Sequence, residues 1–489
     1  MELSKLLLGV NLKSSYGYNL DVKINKIEFD SRKVSKSDLF IAIKGIKFDG
    51  HDFIDNAIDL GCSAVLLEKM PDKLREKVCY LLVENTAVAM SILSSNYFGN
   101  PSSKIKLVGV TGTNGKTTIA TLLYKLFNVL GFKVGLLSTI ENKIGDNSIP
   151  STHTTADSIQ INKLLSQMID HGCEYCFMEV SSHAVHQHRT SNLLFDLGVF
   201  TNLTHEHLDY HKSFNEYLKA KKIFFDNLSS NAFAIINKDD KNGLQMVANS
   251  SAKKITYSLK KNANHMCKVI ESRFDGMLLK IDSTEVWVNI IGEFNAYNLL
   301  AVYCTALHLG IEKENILRGI SVLKPADGRF HAFRSSDGIT AIVDYMHTPD
   351  AYENVLSTIN KIRKKSQKLI IVFGCGGDRD KDKRPLMTSI ATNMTDQVII
   401  TSDNPRSEKL ENIIDDMISE LKTSDKNNLL VINDRSHAIK TACKIANSGD
   451  IILLAGKGHE KYQEINGVKL PFDDTEEIIK SLKIDVNVI

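Results

Sequence analysis

One octapeptide constrains this chain more than any other stretch: Thr111-Gly112-Thr113-Asn114-Gly115-Lys116-Thr117-Thr118. It follows Ile105–Val110, an apolar run of the buried-strand kind, and opens a helical stretch over Thr117–Leu130 that Gly131 closes. Strand, glycine-rich turn and helix in that order are the setting of a phosphate loop. Glycines let backbone N–H groups turn toward phosphate oxygens, and the helix N-terminus adds positive partial charge. In this reading Gly112, Thr113, Asn114, Gly115 and Thr118 line a nucleotide's phosphates. Lys116 reaches the β- and γ-phosphates, and Thr117 offers its hydroxyl to Mg²⁺. The strict G-x-x-x-x-G-K-[ST] spacing would put its first glycine at Val110, so the loop is a compact variant.

The rest of the chain repeats the strand–helix grammar. Val134–Ser138, Cys176–Val180, Leu197–Thr201 and Ala232–Asn237 read as strands, with helical stretches between several of them. Such alternation predicts an α/β fold with a mostly parallel sheet covered on both faces. A further series, Ile339–Val343, Leu369–Phe373, Gln397–Thr401, Leu429–Ile432 and Ile451–Leu454, predicts a second, Rossmann-like sheet. Shorter strand-like runs at Lys23–Phe29 and Ala64–Leu67 precede the turn-like Phe98-Gly99-Asn100-Pro101-Ser102. Three domains are expected: residues 1–103, a central nucleotide-binding domain over 104–328, and 329–489.

Charge narrows the partners. With 60 basic and 58 acidic side chains the net charge is +2, which gives no global field for nucleic acid or a membrane surface. No apolar run reaches a membrane span, and the N-terminus reads as part of the fold and not as a signal peptide, so the cytoplasm is expected. Eight scattered cysteines make no disulfide framework, and Cys173 and Cys176, a lone C-x-x-C, read as half-buried thiols flanking a strand. A phosphate loop alone does not name a reaction. Asn237-Lys238-Asp239-Asp240 satisfies the guanine signature N-K-x-D, but the chain's D-x-x-G, Asp240–Gly243, comes after it and far from a GTPase metal position. A polar strand end is the plainer reading of 237–240.

Met178-Glu179-Val180-Ser181-Ser182-His183-Ala184 places a carboxylate at a strand end. Thr201-Asn202-Leu203-Thr204-His205-Glu206-His207-Leu208-Asp209-Tyr210-His211 supplies imidazoles. Glu179 and His207 together can serve a divalent ion, although Mg²⁺ prefers oxygen and either residue alone is as readily a solvated side chain. These blocks, with Tyr217-Leu218-Lys219-Ala220-Lys221, Gly292-Glu293-Phe294-Asn295-Ala296-Tyr297-Asn298, Gly328-Arg329-Phe330, Asp344-Tyr345-Met346-His347-Thr348-Pro349 and Gly374-Cys375-Gly376-Gly377-Asp378-Arg379-Asp380, occur in the order seen in Mur ligases. The chain resembles that family from about residue 28 to 475.

The resemblance implies an ATP-dependent, amide-forming ligase of cell-wall precursor synthesis, working through an acyl phosphate and acting as a monomer. It implies that Glu179 and His207 bind metal beside Thr117. Lys221 matches a lysine that the family carbamylates into an anion able to bind a second Mg²⁺. Asn298, Arg329 and His347 match residues on the adenine and phosphate side. The first domain matches a UDP-binding pattern in Asp30-Ser31-Arg32, Gly45 and Asp49-Gly50-His51, with Ser31 against the diphosphate. Thr154, Thr155, Ser181, Gln187 and Arg189 match residues that hold the muramoyl-peptide, here UDP-N-acetylmuramoyl-L-Ala-D-Glu.

Asp403-Asn404-Pro405-Arg406 resembles the signature of the branch that adds meso-diaminopimelate. That amino acid carries a second carboxylate at its far end, which Arg406 can grip, whereas lysine ends in a bare ammonium that an arginine repels. Arg379, Gly456 and Glu460 match further contacts to it. Met346, His331, Asp382 and Ala156 depart from the family pattern, and none is an expected ligand. A folylpolyglutamate synthase relative would share the central fold but gives no reason for the first domain or for Asp403–Arg406. A nucleotide-binding switch would need no amino-acid pocket.

Overall fold

The computed structural model describes residues 1–17, 22–45, 48–151, 153–204, 208–422 and 428–484. Three sheets follow one another along the chain. The first has five strands in the order Leu12–Tyr16, Cys79–Val83, Ala64–Leu67, Leu39–Ile41 and Ile27–Glu28, parallel except for the first. The strand expected over Lys23–Phe29 is shorter than the apolar pattern suggested, because Lys23 instead bridges to Glu2 and the N-terminal ammonium donates to Ile24 O at 2.7 Å.

The second sheet has eleven strands. Its parallel centre runs Lys253–Ser258, Phe233–Asn237, Leu197–Phe200, Lys106–Thr111, Tyr175–Glu179, Val134–Leu137. Apart from Lys253–Ser258, whose first residues are exposed, these strands are apolar on both faces because helices cover both, which is why they read as continuous runs. Hairpins extend each edge: Glu141–Ile144 with Asn147–Pro150 on one side, and His265–Arg273, Gly276–Ile281 and Thr284–Val288 on the other. The strand–helix alternation gave no sign of these antiparallel additions, whose half-exposed strands mix polar and apolar residues. Cys173 and Cys176 are both buried in this layer, not half-buried, since the helix Ser158–Asp170 packs over them.

Helix Phe214–Asp226 is seated on this sheet by one close approach. A Cβ on Gly109 would lie 2.6 Å from Cζ of Phe224, so only glycine lets that ring meet the strand. Burying such a ring stabilises by roughly 1.5–3 kcal/mol. One turn earlier the same helix carries Lys221 to the end of the strand.

The third sheet has six strands in the order His331–Arg334, Thr340–Asp344, Ile451–Ala455, Leu369–Phe373, Gln397–Ile400 and Leu429–Val431, parallel except for the first. A separate hairpin, Tyr462–Ile465 with Val468–Pro471, stands beside it. A fully buried ion pair ties its loops to the C-terminal helix Asp474–Leu482. Arg435 donates Nε and Nη2 to the two oxygens of Asp474 at 2.7 and 2.6 Å, and Nη2 also reaches Ala455 O at 2.9 Å. Nη1 reaches Ser402 O at 3.4 Å. Removing one partner leaves an uncompensated buried charge, so Asp474→Ala is expected to destabilise the C-terminal core by about 3–5 kcal/mol. The denaturant midpoint of the transition that exposes that core measures this, and an unchanged midpoint contradicts it.

Candidate functional site

The strand Lys106–Thr111 ends in the glycine-rich turn, and Gly115, at φ 89°, hands the chain to helix Lys116–Val129. Both glycines are required by crowding. A Cβ on Gly112 would fall 1.8 Å from Thr201 Oγ1, and one on Gly115 would fall 2.7 Å from Asn298 Oδ1. The second contact puts Asn298, from helix Glu293–His308, against the loop. Thr113 N donates to Asn202 O at 2.8 Å, Asn114 N to Asn202 Oδ1 at 2.9 Å, and Thr201 Oγ1 to Asn114 O at 2.6 Å. Asn202, which the sequence reading did not single out, therefore shapes the loop. Lys116 Nζ donates to Gly112 O at 2.9 Å and Thr113 O at 2.7 Å, and Lys221 Nζ donates to Gly112 O at 2.8 Å. Two ammonium groups thus converge on one carbonyl at the place an anion would occupy.

Glu179 ends the strand Tyr175–Glu179 and is fully buried. Its carboxylate accepts from Thr117 Oγ1 at 3.0 Å, Thr139 N at 2.8 Å and Thr139 Oγ1 at 3.2 Å. A hydroxyl and a carboxylate side by side below a phosphate loop are hard oxygen donors and fit Mg²⁺. His207, the third expected ligand, lies outside the described residues. The expected precursor contacts gather around the same carboxylate. Thr139 Oγ1 lies 3.1 Å from Thr154 Oγ1, Thr155 Oγ1 donates to Glu179 O at 2.9 Å, and Ser181 N to Thr155 Oγ1 at 3.0 Å. Arg189 donates to Thr155 O at 2.7 Å and twice to Gln187 Oε1. Ser31 belongs to the first layer, where its buried hydroxyl accepts from Asn56 Nδ2 at 3.5 Å.

Arg329 links this cluster to the third sheet. Its Nη2 reaches Thr117 Oγ1 at 3.5 Å, and its guanidinium lies 4.6 Å over the Tyr345 ring. Tyr345 in turn packs against His347 at 4.8 Å and His459 at 4.8 Å. His347 donates Nδ1 to Tyr345 O at 2.9 Å. Burial, with Arg329 and His347 beside it, pushes His459 down to about 3, so its imidazole is neutral. Among the described residues, Arg329 Nε and His459 Nδ1 are buried with no hydrogen-bond partner, as suits groups that receive a polar ligand. Across the same seam Asn114 Nδ2 donates to Asp350 Oδ2 at 2.8 Å.

Beyond His459 the loops after three strands of the third sheet bring a cluster of polar side chains together. Asn404 Nδ2 donates to Glu460 Oε2 at 2.7 Å. Lys457, fully buried, donates to Asn404 Oδ1 at 3.1 Å and lies 3.4 Å from both Asp403 and Glu460. A Cβ on Gly456 would stand 3.0 Å from Asp403 Oδ2. Burial and then the Asp403 charge raise the Glu460 carboxyl above its ordinary range. Arg406, at φ 51°, donates Nη1 to Gly377 O at 2.7 Å, and Gly377 N donates to Asn404 O at 2.9 Å. Pro405 completes the turn between Asn404 and Arg406. A Cβ on Gly376 would lie 3.0 Å from Arg406 Nη1 and 3.7 Å from Arg379 Cγ, so the two guanidinium-bearing chains flank one glycine. Arg384 and Glu408 lock this loop: Arg384 donates to both Glu408 oxygens at 3.0 and 2.8 Å, and this pairing holds Glu408 down at about 2.

Lys457, Tyr345, His459 and Arg384 were not foreseen. Gly456-Lys457-Gly458-His459-Glu460 follows the buried strand Ile451–Ala455 just as the phosphate loop follows its own, and that grammar was the available signal. The N-K-x-D motif resolves as structural. Asp239 accepts from Ser258 Oγ at 2.7 Å, Leu259 N at 2.8 Å, Lys260 N at 3.0 Å and Tyr297 OH at 2.9 Å, leaving it nothing for a base. Of the departures from the family pattern, Met346 fills the core under the third sheet, Asp382 adopts φ −64°, which needs no glycine, and the His331 ring lies 4.2 Å from Phe333. Ala156 is half-buried and packs against the apolar core on one face of the second sheet. Among the described residues no helix is long and apolar enough to cross a membrane.

Three family models match consecutive parts of the chain. They are the Mur ligase family catalytic domain over residues 23–98, the Mur ligase middle domain over 110–306, and the Mur ligase glutamate ligase domain over 328–458. A Cytophaga hutchinsonii protein named UDP-N-acetylmuramoyl-L-alanyl-D-glutamate–2,6-diaminopimelate ligase is 51% identical over 483 residues, 99% of each chain. A solved structure of a UDP-N-acetylmuramoyl-L-alanyl-D-glutamate–2,6-diaminopimelate ligase matches with TM-score 0.70 at 32% identity over 99% of each chain. A Mycobacterium tuberculosis folylpolyglutamate synthase matches with TM-score 0.61 at 14% identity, covering 75% of this chain and 91% of its own, which is a likeness of fold alone.

The Glu460 shift sets a pH dependence. A raised carboxyl loses its charge as pH falls through its raised value, above the ordinary glutamate range of about 4.3. Affinity for an ammonium-bearing ligand at this cluster is therefore expected to begin falling at a higher pH than a plain glutamate would cause, and Glu460→Gln to flatten that limb. Calorimetric titration across pH checks it.

Proposed function

Because the chain belongs to the Mur ligase family, we infer that it joins meso-2,6-diaminopimelate to UDP-N-acetylmuramoyl-L-alanyl-D-glutamate at the expense of ATP. The observation that carries this reading is the unbroken run of contacts from the phosphate loop through Arg329, Tyr345 and His459 to the Asp403–Glu460 pocket. Three reactants can meet along such a wall.

Residues 1–103 serve as the UDP-binding domain with Ser31 at the diphosphate, residues 104–328 bind ATP, and residues 329–489 bind the amino acid. Thr154, Thr155, Ser181, Gln187 and Arg189 orient the precursor so that its free carboxylate faces the γ-phosphate. That carboxylate attacks phosphorus, the bond to ADP breaks, and an acyl phosphate forms. Lys116 exchanges its two loop carbonyls for phosphate oxygens, and Gly112, Thr113, Asn114, Gly115 and Thr118 supply the cradle. Mg²⁺ bound by Thr117, Glu179 and His207 would neutralise phosphate charge. Lys221, its amine withdrawn from water, is the residue to carry CO₂ as a carbamate and bind a second ion. Asn298 and His347 border the nucleotide, and Arg329 stabilises charge on the transferred phosphoryl group. Asp403, Asn404, Gly456 and Glu460 receive the distal ammonium of diaminopimelate, while Arg379 and Arg406 receive its distal carboxylate. The near amine then attacks the acyl carbon and phosphate leaves. No enzyme nucleophile is required, so catalysis is positioning and charge neutralisation. The enzyme acts as a monomer in the cytoplasm.

A folylpolyglutamate-type reaction would leave the first sheet and the double-arginine pocket without a task. The deciding assay measures amide product and phosphate release with ATP, the UDP-precursor and either meso-diaminopimelate or lysine. Product is expected only with all three reactants and with diaminopimelate preferred; its absence rejects the reading. Lys116→Ala is expected to lower turnover by on the order of 10²-fold or more. Arg406→Ala removes a charge-assisted contact of roughly 1.5–3 kcal/mol, raising the KM for diaminopimelate about 10- to 150-fold while that for ATP stays put. Steady-state kinetics on the two variants checks both.

A further inference from the structure

The hairpin Tyr462–Pro471 is docked on the very turn that carries Arg406. Arg406 N donates to Glu464 O at 3.0 Å, and Asn466 N to Arg406 O at 2.8 Å. Glu464 N donates to Asn404 Oδ1 at 2.9 Å, and Gln463 Nε2 to Ser402 Oγ and Asp403 O at 2.8 and 2.7 Å. Main-chain bonds thus fix where the Glu464 side chain starts, whatever that side chain is.

The Arg406 fork has one edge already engaged, since Nη1 donates to Gly377 O at 2.7 Å. The edge formed by Nε with Nη2 carries no main-chain contact and can take a carboxylate bidentately. Glu464 Oε2 stands on that edge, 3.6 Å from Nε. At that separation the two groups attract as charges but do not form a hydrogen bond. Both side chains keep about a fifth to a quarter of their surface in water, at 21% and 25%, so the carboxylate can swing out without being stranded.

We propose that Glu464 is a built-in carboxylate that covers the open edge of Arg406 until the distal carboxylate of the incoming amino acid replaces it, and so sets the affinity of that site. This rests on the assignment of Arg406 made above. The arrangement sets the same threshold for every incoming distal carboxylate. Arg379, Arg406 and Lys457 together would attract any dicarboxylate; with Glu464 in place, an anion must displace a resident charge. A ligand whose far end also bears an ammonium recovers that cost at Glu460 and Asp403, and a plain diacid does not. Lysine, with no distal carboxylate, leaves the pair undisturbed and gains nothing from Arg406.

The test is steady-state kinetics with saturating ATP and UDP-precursor on the full chain, comparing wild type, Glu464→Gln, Arg406→Ala and the double variant. Pimelate, the same seven-carbon diacid without amines, serves as the competing anion. Glutamine keeps the shape and the main-chain bonds and removes only the charge. Glu464→Gln is expected to lower the KM for meso-diaminopimelate by roughly two- to five-fold, the worth of a partly exposed ion pair. The inhibition constant of pimelate falls by a like factor, the KM for ATP is unchanged, and nothing further changes on the Arg406→Ala background. A KM that stays or rises in Glu464→Gln, while Arg406→Ala raises it, overturns the proposal alone. An Arg406→Ala enzyme with the wild-type KM for diaminopimelate overturns the underlying assignment, and the proposal with it.

Discussion

The contact of Arg329 with both Thr117 and Tyr345 is the constraint on which the site depends. Thr117 belongs to the phosphate loop of the second sheet, and Tyr345 to the loop after a strand of the third. One guanidinium therefore spans the seam between the phosphate loop of the second sheet and the loops of the third. Its rigid fork and flat face suit it to bond a hydroxyl on one side and cover an aromatic ring on the other, which a lysine could not do together. Asn114 with Asp350 repeats the bridge a short way along.

Around that seam the molecule spends glycine where backbone must approach closely and buried charge where loops must not drift. Gly112 and Gly115 make room for Thr201 and Asn298. Arg435 and Asp474 secure the backbone at Ser402 and Ala455, directly before the two loops that form the amino-acid pocket. Arg384 and Glu408 do the same for the loop bearing Arg379. Buried ion pairs are costly to desolvate and are retained where geometry matters more than net stability. Both pairs hold loops that follow strands of the third sheet.

The phosphate loop, Glu179 with its threonines, and the Asp403–Arg406 turn were legible because each interrupts a buried strand with residues that packing alone does not call for. Most parallel strands of the second and third sheets were legible to within a residue or so for the same reason, since helices cover them on both sides and their apolar runs are uninterrupted, whereas Leu39–Ile41, Cys79–Val83 and Lys253–Ser258 were not anticipated. The edge hairpins and the Tyr462–Pro471 hairpin were not, because a two-stranded ribbon with one face in water carries only a short alternation. Lys457 and His459 escaped notice because a lysine and a histidine beside glycine look like surface residues until the strand before them is known to end in a pocket. The strand expected at Lys23–Phe29 shows the converse: an apolar pattern was present, but the chain terminus competed for half of it.

The proposed reaction requires ATP cleavage and amide formation to occur in one continuous site through a shared acyl phosphate. Isotope transfer tests this most directly. The UDP-precursor is prepared with ¹⁸O in its free carboxylate, turned over with ATP and meso-diaminopimelate, and the inorganic phosphate is analysed by mass spectrometry. The account predicts that each phosphate released carries one oxygen from the precursor. Phosphate free of label, with amide still formed, would mean that the carboxyl oxygen never bonded to phosphorus, and would contradict it.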